Sequence, residues 1–369
     1  MLVDGSSMNK VMVLGAGRVG RLIATELGQD CKVIVCDNNA ETRTLGALPN
    51  IQVEIADLSI VEMIKLLIRR HQPDLVVGAL PSVIGMQTLT AVIESGVNYV
   101  DISFMPEDPT DLDAIAKRKG LTVVVDCGVM PGLGNIIAGH AAAELEGCHT
   151  IKIYVGGVPL NPVRPFNYKA PFAPSDVVEE YTRPARMMID GKMVIEKPLS
   201  GLERQIFVGR DNLYDLEAFN TDGLRTLLTL GIPNMVEKTL RYDGHAEMMI
   251  LLRDEGFLDN PDWLYKHWEY GPTEKDITFL RVVAESDDDH WTFNMIDYYD
   301  PESGHTSMAR TTAFPCVTVA RMILDGRISE TGVIPPENLG KDTCIFHHIL
   351  TELRIKHRVS VVPVMVMSK

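Results

Sequence analysis

Six residues, Gly15-Ala16-Gly17-Arg18-Val19-Gly20, follow the apolar run KVMVL and open the amphipathic run VGRLIATELG. Glycines at the first, third and sixth positions suit a pyrophosphate cradle. The first makes the tight turn out of a strand, and the second lets backbone approach the phosphates. The third lets the next helix lie close on the sheet with its N-terminal N–H groups aimed at negative charge. Asp37 ends the next strand, KVIVCD, about 20 residues further on. An acid there accepts hydrogen bonds from both ribose hydroxyls and repels a 2′-phosphate, so the pattern points to NAD rather than NADP. A Rossmann-type domain that has lost its ligand is the alternative reading.

In such sheets the ligand crevice lies at the carboxyl ends of the strands, which gives the residues just beyond each strand their interest. Ala79, Leu80 and Pro81 lack ionisable side chains and read as a backbone lip beside the dinucleotide. Asp57, after IQVEI, either meets an adenine amino group or starts the next helix. Asp101 and Asp126 each end an interior strand, where a nicotinamide would lie. A carboxylate there takes a proton, grips a cation, or caps the next segment. His140, on the helix after the sixth strand, either faces the crevice or packs as a structural histidine. Asp176 and Glu180 share a face if VVEEY is helical. They then form either an acidic pair suited to an ammonium group or a solvated helix start.

The elements that must position these residues are legible in the first third. KVMVLG, KVIVCD, IQVEI, DLVVGAL, NYVDIS and LTVVVDC are apolar strands separated mostly by helical segments. Ser59 and Glu62 stand in capping-box register, and Gly96 and Gly120 read as helix C-caps. The predicted fold is α/β: a Rossmann doubly wound parallel sheet with an inserted α+β second domain. The expected divisions are a dinucleotide-binding domain over 8–131, an inserted substrate and dimerisation domain over 132–305, and C-terminal helices over 306–369 returning to the Rossmann domain. The inserted part opens with the helical run LGNIIAGHAAAELEG, leads to HTIKIYVGGV, crosses the Pro-rich loop PLNPVRPFNYKAPFAPSD, and continues through KMVIEKPL, KTLRYDGH, DITFLRVVAES and HWTFNMIDYY. The runs after the helix suggest a mixed or antiparallel sheet.

Composition narrows the class. The 369 residues are 46% hydrophobic and 23% charged, with a formal net charge of −15, so no basic stripe is available for nucleic acid. The six cysteines show no CxxC spacing and fit buried thiols in a reducing cytoplasm. The ten histidines offer no HExxH and no paired ligand spacing, so no metal is expected. No GxSxG elbow points to a hydrolase. The stretch before Met8 reads as an appended leader, and no apolar run approaches a membrane span. A cytoplasmic protein is expected.

Five stretches, VMVLGAGRVG, DCGVMPGLGN, FNYKAPFAPSDVVEEYTRPARMMIDGK, LEAFNTDGLRTLL and EKTLRYDGHAEMM, resemble the saccharopine dehydrogenase-like oxidoreductases. Within them the chain resembles the lysine 6-dehydrogenase branch. The resemblance implies a Rossmann domain with an inserted domain, an NAD(P) cofactor, and oxidation at an amine-bearing carbon of lysine or a lysine adduct. Saccharopine-reducing members carry an Asp before the Pro-Gly and an Asp-His pair after it. This chain instead reads Met130-Pro131-Gly132-Leu133-Gly134-Asn135, and it has no Arg within FAPSD, where the resemblance implies an Arg holding a substrate carboxylate.

The implied reaction is oxidative deamination of the side-chain amine of L-lysine to the 6-semialdehyde, with release of ammonia. Its ammonium must lose a proton before hydride leaves, and Asp126 is the candidate base, with Asp101 and His140 behind it. Asp176 and Glu180 would attract the cation, Lys169 or Arg164 would meet the α-carboxylate, and Tyr168 and Phe104 would contact the substrate. A homodimer is expected, with a small-molecule substrate as the only partner besides NAD. The alternatives are a saccharopine reductase or dehydrogenase, a polyamine-forming (carboxynorspermidine-like) reductase, and a non-catalytic NAD(H)-sensing protein.

Overall fold

A computed structural model describes residues 8–271 and 274–367. In chain order the elements begin β1 (Lys10–Leu14), α1 (Arg18–Leu27), β2 (Lys32–Asp37), β3 (Ile51–Ile55), α2 (Val61–His71) and β4 (Leu75–Gly78). They continue with α3 (Gly85–Ser95), β5 (Asn98–Asp101), α4 (Asp113–Lys119), β6 (Thr122–Val124), α5 (Leu133–Glu144) and β7 (Thr150–Pro159). Next come α6 (Pro174–Thr182), β8 (Ala185–Ile189), β9 (Lys192–Glu196), β10 (Glu203–Val208), β11 (Leu213–Asn220) and β12 (Asn234–Tyr242). Then follow α7 (His245–Asp254), α8 (Asp262–Trp268), β13 (Asp276–Glu285), β14 (Asp289–Tyr298) and α9 (Ser307–Leu324). The chain closes with β15 (Gly332–Ile334), α10 (Pro336–Lys341), α11 (Thr343–His357) and β16 (Val361–Met367).

The chain divides into two compact units. The first comprises residues up to Gly128 together with Thr312–Pro335. Its seven strands run in the order β15-β6-β5-β4-β1-β2-β3, all parallel. The order reverses between β1 and β4, the switch point where doubly wound sheets hold their ligands. β1 and β4 read as unbroken apolar runs because helices cover both sheet faces; Val11, Met12, Val13, Leu14, Leu75, Val76 and Val77 are fully buried. Gly96 and Gly120 end α3 and α4 in the left-handed conformation, as the sequence predicts. The predicted Ser59 capping box does not form. α2 starts at Val61, and Ser59 donates instead to Asp57.

The second unit comprises Val129–Thr311 and the residues from Pro336 onward. Its mixed sheet runs β10-β11-β12-β7-β13-β14-β16, with the β8–β9 hairpin attached through β12. Among the described residues only β12 and β7 pair in parallel within it. A core of Trp268, Tyr168, Tyr181, Phe207, Phe219 and Phe279 packs between this sheet and α6, α7 and α8.

The C-terminal segment divides, where the sequence suggested a single return over 306–369. Residues 312–335 join the first unit, because β15 adds a parallel strand to β6 and Arg321 binds Asp30 and the Glu26 carbonyl. α10, α11 and β16 join the second unit, where Phe346 stacks on His140 and β16 pairs with β14. No helix among the described residues is long and apolar enough to cross a membrane. All six cysteines are free; four are buried, while Cys148 is partly exposed and Cys344 exposed.

Candidate active site

At the β1–α1 turn Gly15 has φ +97°, in the left-handed region. A Cβ there would lie 2.2 Å from the Ala79 carbonyl oxygen, and one on Gly20 would lie 2.1 Å from the Gly15 carbonyl. Turn and helix start thus pack backbone on backbone, which only glycine permits. Gly17 has open space where its Cβ would stand. α1 begins beyond it with no side-chain cap and no acid in its first turn, so its N–H groups suit an anion. Around this opening Ala16 is buried, Val19 half-buried and Arg18 exposed. The cradle fits a dinucleotide pyrophosphate.

Asp37 ends β2 beside that cradle. Its Oδ2 accepts from the Ala16 N–H at 2.6 Å and its Oδ1 from the Asn39 N–H at 2.7 Å, which locks the carboxylate at the strand end. Asp57 is exposed after β3 and accepts from the N–H and hydroxyl of Ser59, which holds its carboxyl below the usual range. The Ala79-Leu80-Pro81 rim borders the cradle: Ala79 N–H donates to the Leu14 carbonyl at 2.8 Å, and Leu80 lies against Gly15.

Asp101 and Asp126 are both fully buried at the ends of β5 and β6. Asp101 Oδ1 accepts from the Ser103 N–H at 2.9 Å, and its backbone carbonyl accepts from the Cys127 N–H at 2.7 Å. Asp126 has φ +52°, a left-handed conformation that Asp tolerates better than most residues. The structure brings the two acids to one neighbour: burial first, then Asp126 and Asp101, push the Cys127 thiol upward. Phe104, three residues past Asp101, is half-buried.

In the second unit a polar network is built into the aromatic core. Arg241, on β12, is 1% exposed; its Nη2 donates to Glu180 Oε2 at 2.5 Å, its Nε to the Tyr181 hydroxyl at 3.1 Å, and its Nη1 to the Leu240 carbonyl at 2.9 Å. Tyr181 donates onward to His245 Nε2 at 2.9 Å, because the Phe166 carbonyl, 2.8 Å from Nδ1, fixes the proton on that nitrogen. Burial, with Arg241 adding to it, lowers the His245 pKa to about 3, so the ring is neutral. Burial raises the Glu180 carboxyl and the Arg241 guanidinium opposes it.

The Arg241 guanidinium also lies 4.4 Å from the centre of the Tyr168 ring, whose other ring contacts include Trp268 and His245. Tyr168 is 1% exposed, and its hydroxyl and the Trp268 Nε1 are buried without a hydrogen-bond partner among the described residues. Among the described residues three hydrogen bonds engage Arg241, which leaves two of a guanidinium's five N–H groups over. N–H groups in that state can take a further acceptor. Nearby, burial raises the Glu237 carboxyl to about 8, opposed by the Thr221 hydroxyl that donates to it.

Other sequence candidates are engaged elsewhere. Glu180 and Asp176 act on each other electrostatically, as their helical spacing predicts, yet Glu180 is paired with Arg241 and is not a bare ammonium receptor. Lys169 Nζ lies 2.6 Å from Glu274 and donates to the Glu269 carbonyl at 2.8 Å, so two of its three N–H groups are engaged within the chain. His140 stacks on Phe346 with ring centres 3.7 Å apart, and burial lowers its pKa. Among the described residues no group of three His, Cys, Asp or Glu is placed to hold a metal ion.

Sequence reasoning missed Arg241, Tyr181, His245, Glu237 and Thr221 as site residues. The available signal was three charged residues, Glu237, Lys238 and Arg241, within the single strand-like run NMVEKTLRY that forms β12.

Fold and cradle together define a protein with a Rossmann nucleotide-binding unit and a second, mixed-sheet unit. The profile of the Saccharopine dehydrogenase NADP binding domain matches residues 11–124, and that of the Saccharopine dehydrogenase C-terminal domain matches residues 128–357. The chain belongs to the saccharopine dehydrogenase family. It is 24% identical to the mitochondrial alpha-aminoadipic semialdehyde synthase of Mus musculus, over 90% of this chain and 46% of that protein. It is 22% identical to the saccharopine dehydrogenase [NADP(+), L-glutamate-forming] of Pyricularia oryzae, over 72% of this chain and 79% of that protein. The chain spans about half the length of the semialdehyde synthases it matches. Among solved structures, apo saccharopine dehydrogenase (L-Glu forming) from Saccharomyces cerevisiae superposes with a TM-score of 0.77. That alignment covers 97% of this chain and all of that one at 18% identity, a likeness of fold.

Proposed function

We propose that this chain is an NAD-dependent dehydrogenase that removes the side-chain amine of free L-lysine as ammonia, leaving the 6-semialdehyde, which cyclises onto the α-amine. The observation that carries the substrate is the Arg241–Tyr168 cluster. One buried guanidinium with unengaged N–H groups, beside an unpartnered phenol, fits one α-carboxylate. Saccharopine brings a dicarboxylate arm as well, and Lys169, a sequence candidate for meeting a carboxylate, is tied to Glu274.

Bound at the Gly15–Gly20 cradle, NAD⁺ would supply the hydride acceptor. Asp37 supports NAD over NADP, because its fixed carboxylate would repel a 2′-phosphate. The lysine side-chain ammonium has a pKa of about 10.4, so a base must take its proton before the carbon can give up hydride. Asp126 is assigned that role, and also the activation of the water that completes deamination. Its left-handed backbone supports this, since strain of that kind gathers at functional sites.

The second reading is a saccharopine dehydrogenase using NADP⁺, favoured by the name of the Pyricularia oryzae relative. A spectrophotometric screen near pH 9, pairing L-lysine, saccharopine and other amines with NAD⁺ and NADP⁺, separates the two. Our reading expects reduction with L-lysine and NAD⁺ and no second substrate. Reduction with saccharopine alone contradicts it, and nucleotide binding without turnover on any amine supports a sensing role.

A further inference from the structure

A chain of contacts in the first unit joins a buried acid to the rim of the nucleotide cradle. Asp101 Oδ1 accepts from the Ser103 N–H at 2.9 Å. Ser103, itself 3% exposed, donates its hydroxyl to the Leu80 carbonyl at 3.1 Å. Leu80 belongs to the rim, and its Cδ2 would lie 3.1 Å from a Cβ on Gly15, with the Ala79 carbonyl closer still. The rim is also fixed at its start. A Cβ on Gly78, the last residue of β4, would lie 1.9 Å from the Tyr99 hydroxyl and 2.7 Å from Asp101 Oδ1. The Ile102 N–H donates to the Gly78 carbonyl at 3.2 Å, so backbone also ties the ends of β4 and β5 together.

We propose that Asp101 is a positioning residue that sets the 79–81 rim through Ser103, and with it the fit of the dinucleotide, and that it is not the base of the reaction. The Asp101 oxygen that packs over Gly78 also holds the Ser103 N–H, and the carboxylate acts on the Tyr99 side chain beside it, so the group is engaged in fixing the ends of β4 and β5. A base needs an oxygen at the reacting proton, and Asp101→Asn tests that role directly. The proposal rests on the nucleotide reading of the cradle.

Three variants separate positioning from proton transfer. Asp101→Asn keeps a carbonyl oxygen for the Ser103 N–H but cannot act as a base. Asp101→Ala removes the acceptor. Ser103→Ala removes only the hydroxyl that reaches Leu80, and is the milder test should Asp101→Ala fail to fold. NADH and NADPH affinity are measured by fluorescence titration, and kcat is followed across pH.

Positioning predicts that both alanine variants bind the nucleotide about 5- to 30-fold more weakly, the scale of one lost buried hydrogen bond. Asp101→Asn should stay within about 3-fold of wild type in affinity and turnover, with the acidic limb of its pH profile unmoved. Loss of about 10²-fold or more in kcat in Asp101→Asn, with affinity intact, would make Asp101 the base and overturn the proposal. Alanine variants that bind as wild type overturn it too. Wild-type protein that binds neither nucleotide overturns the cofactor reading itself.

Discussion

The Arg241 guanidinium lies 4.4 Å from the centre of the Tyr168 ring, and the hydroxyl of that ring is buried with no partner among the described residues. An unpartnered buried hydroxyl is a cost to folding. It persists most simply where a ligand satisfies it. Tyr168→Phe should therefore leave the melting temperature unchanged or raise it slightly, while raising KM for lysine about 10-fold and moving kcat less, the pattern of lost ground-state binding. A lower melting temperature with unchanged KM would make the hydroxyl structural.

In the proposed NAD reading, the Asp37 carboxylate, fixed by the Ala16 and Asn39 N–H groups, repels a 2′-phosphate. Asp37→Ser should lower kcat/KM for NAD⁺ and raise it for NADP⁺, narrowing the ratio by about 10-fold or more. Comparing the two cofactors in wild type and variant checks this. A wild-type preference for NADP⁺ would show that Asp37 does not set cofactor choice.

Asp126→Asn retains the shape of the side chain and a residue type at ease with φ near +52°. Folding should survive. If the carboxylate is the base, kcat should fall by about 10²- to 10⁴-fold with NADH affinity nearly unchanged, and the acidic limb of the pH–rate profile should flatten. Near-normal turnover with a lowered melting temperature would mark Asp126 as structural.

Glu237 couples stability to pH. Burial raises its carboxyl to about 8 in the folded chain, against about 4.3 for an unperturbed glutamate. Between those values the folded chain holds a proton that the unfolded chain lacks. This contribution to stability is therefore full below pH ~4.3, declines as pH rises, and is lost above pH 8. Glu237→Gln, neutral at every pH, should flatten the fall in melting temperature between pH 5 and pH 9 by on the order of 5 °C or more. Parallel profiles for wild type and variant would contradict the assignment.

The first unit was legible because its strands are mostly apolar and α1, α3 and α4 end on glycine. β15 was not, since three residues, Gly332–Ile334, carry no periodicity, and their partner β6 lies some two hundred positions earlier. β16 was hidden by Pro363, which reads against a strand and is tolerated here at a sheet edge. In the site, helical spacing identified the face shared by Asp176 and Glu180. It could not supply Arg241, 61 residues further on, whose charge redefines what Glu180 does. Nor does sequence reveal that Lys169 is held by Glu274. Local pattern reports which residues share an element, whereas charge pairing across the sheet emerges only with the fold.

The most direct measurement is the yield of ammonia per NADH formed when L-lysine is the only organic substrate. The account predicts one ammonia for each NADH, with no requirement for 2-oxoglutarate or any other partner. Saccharopine should give little or no NADH under the same conditions. NADPH or NADH formed from saccharopine with release of glutamate, and no ammonia from lysine, would contradict it.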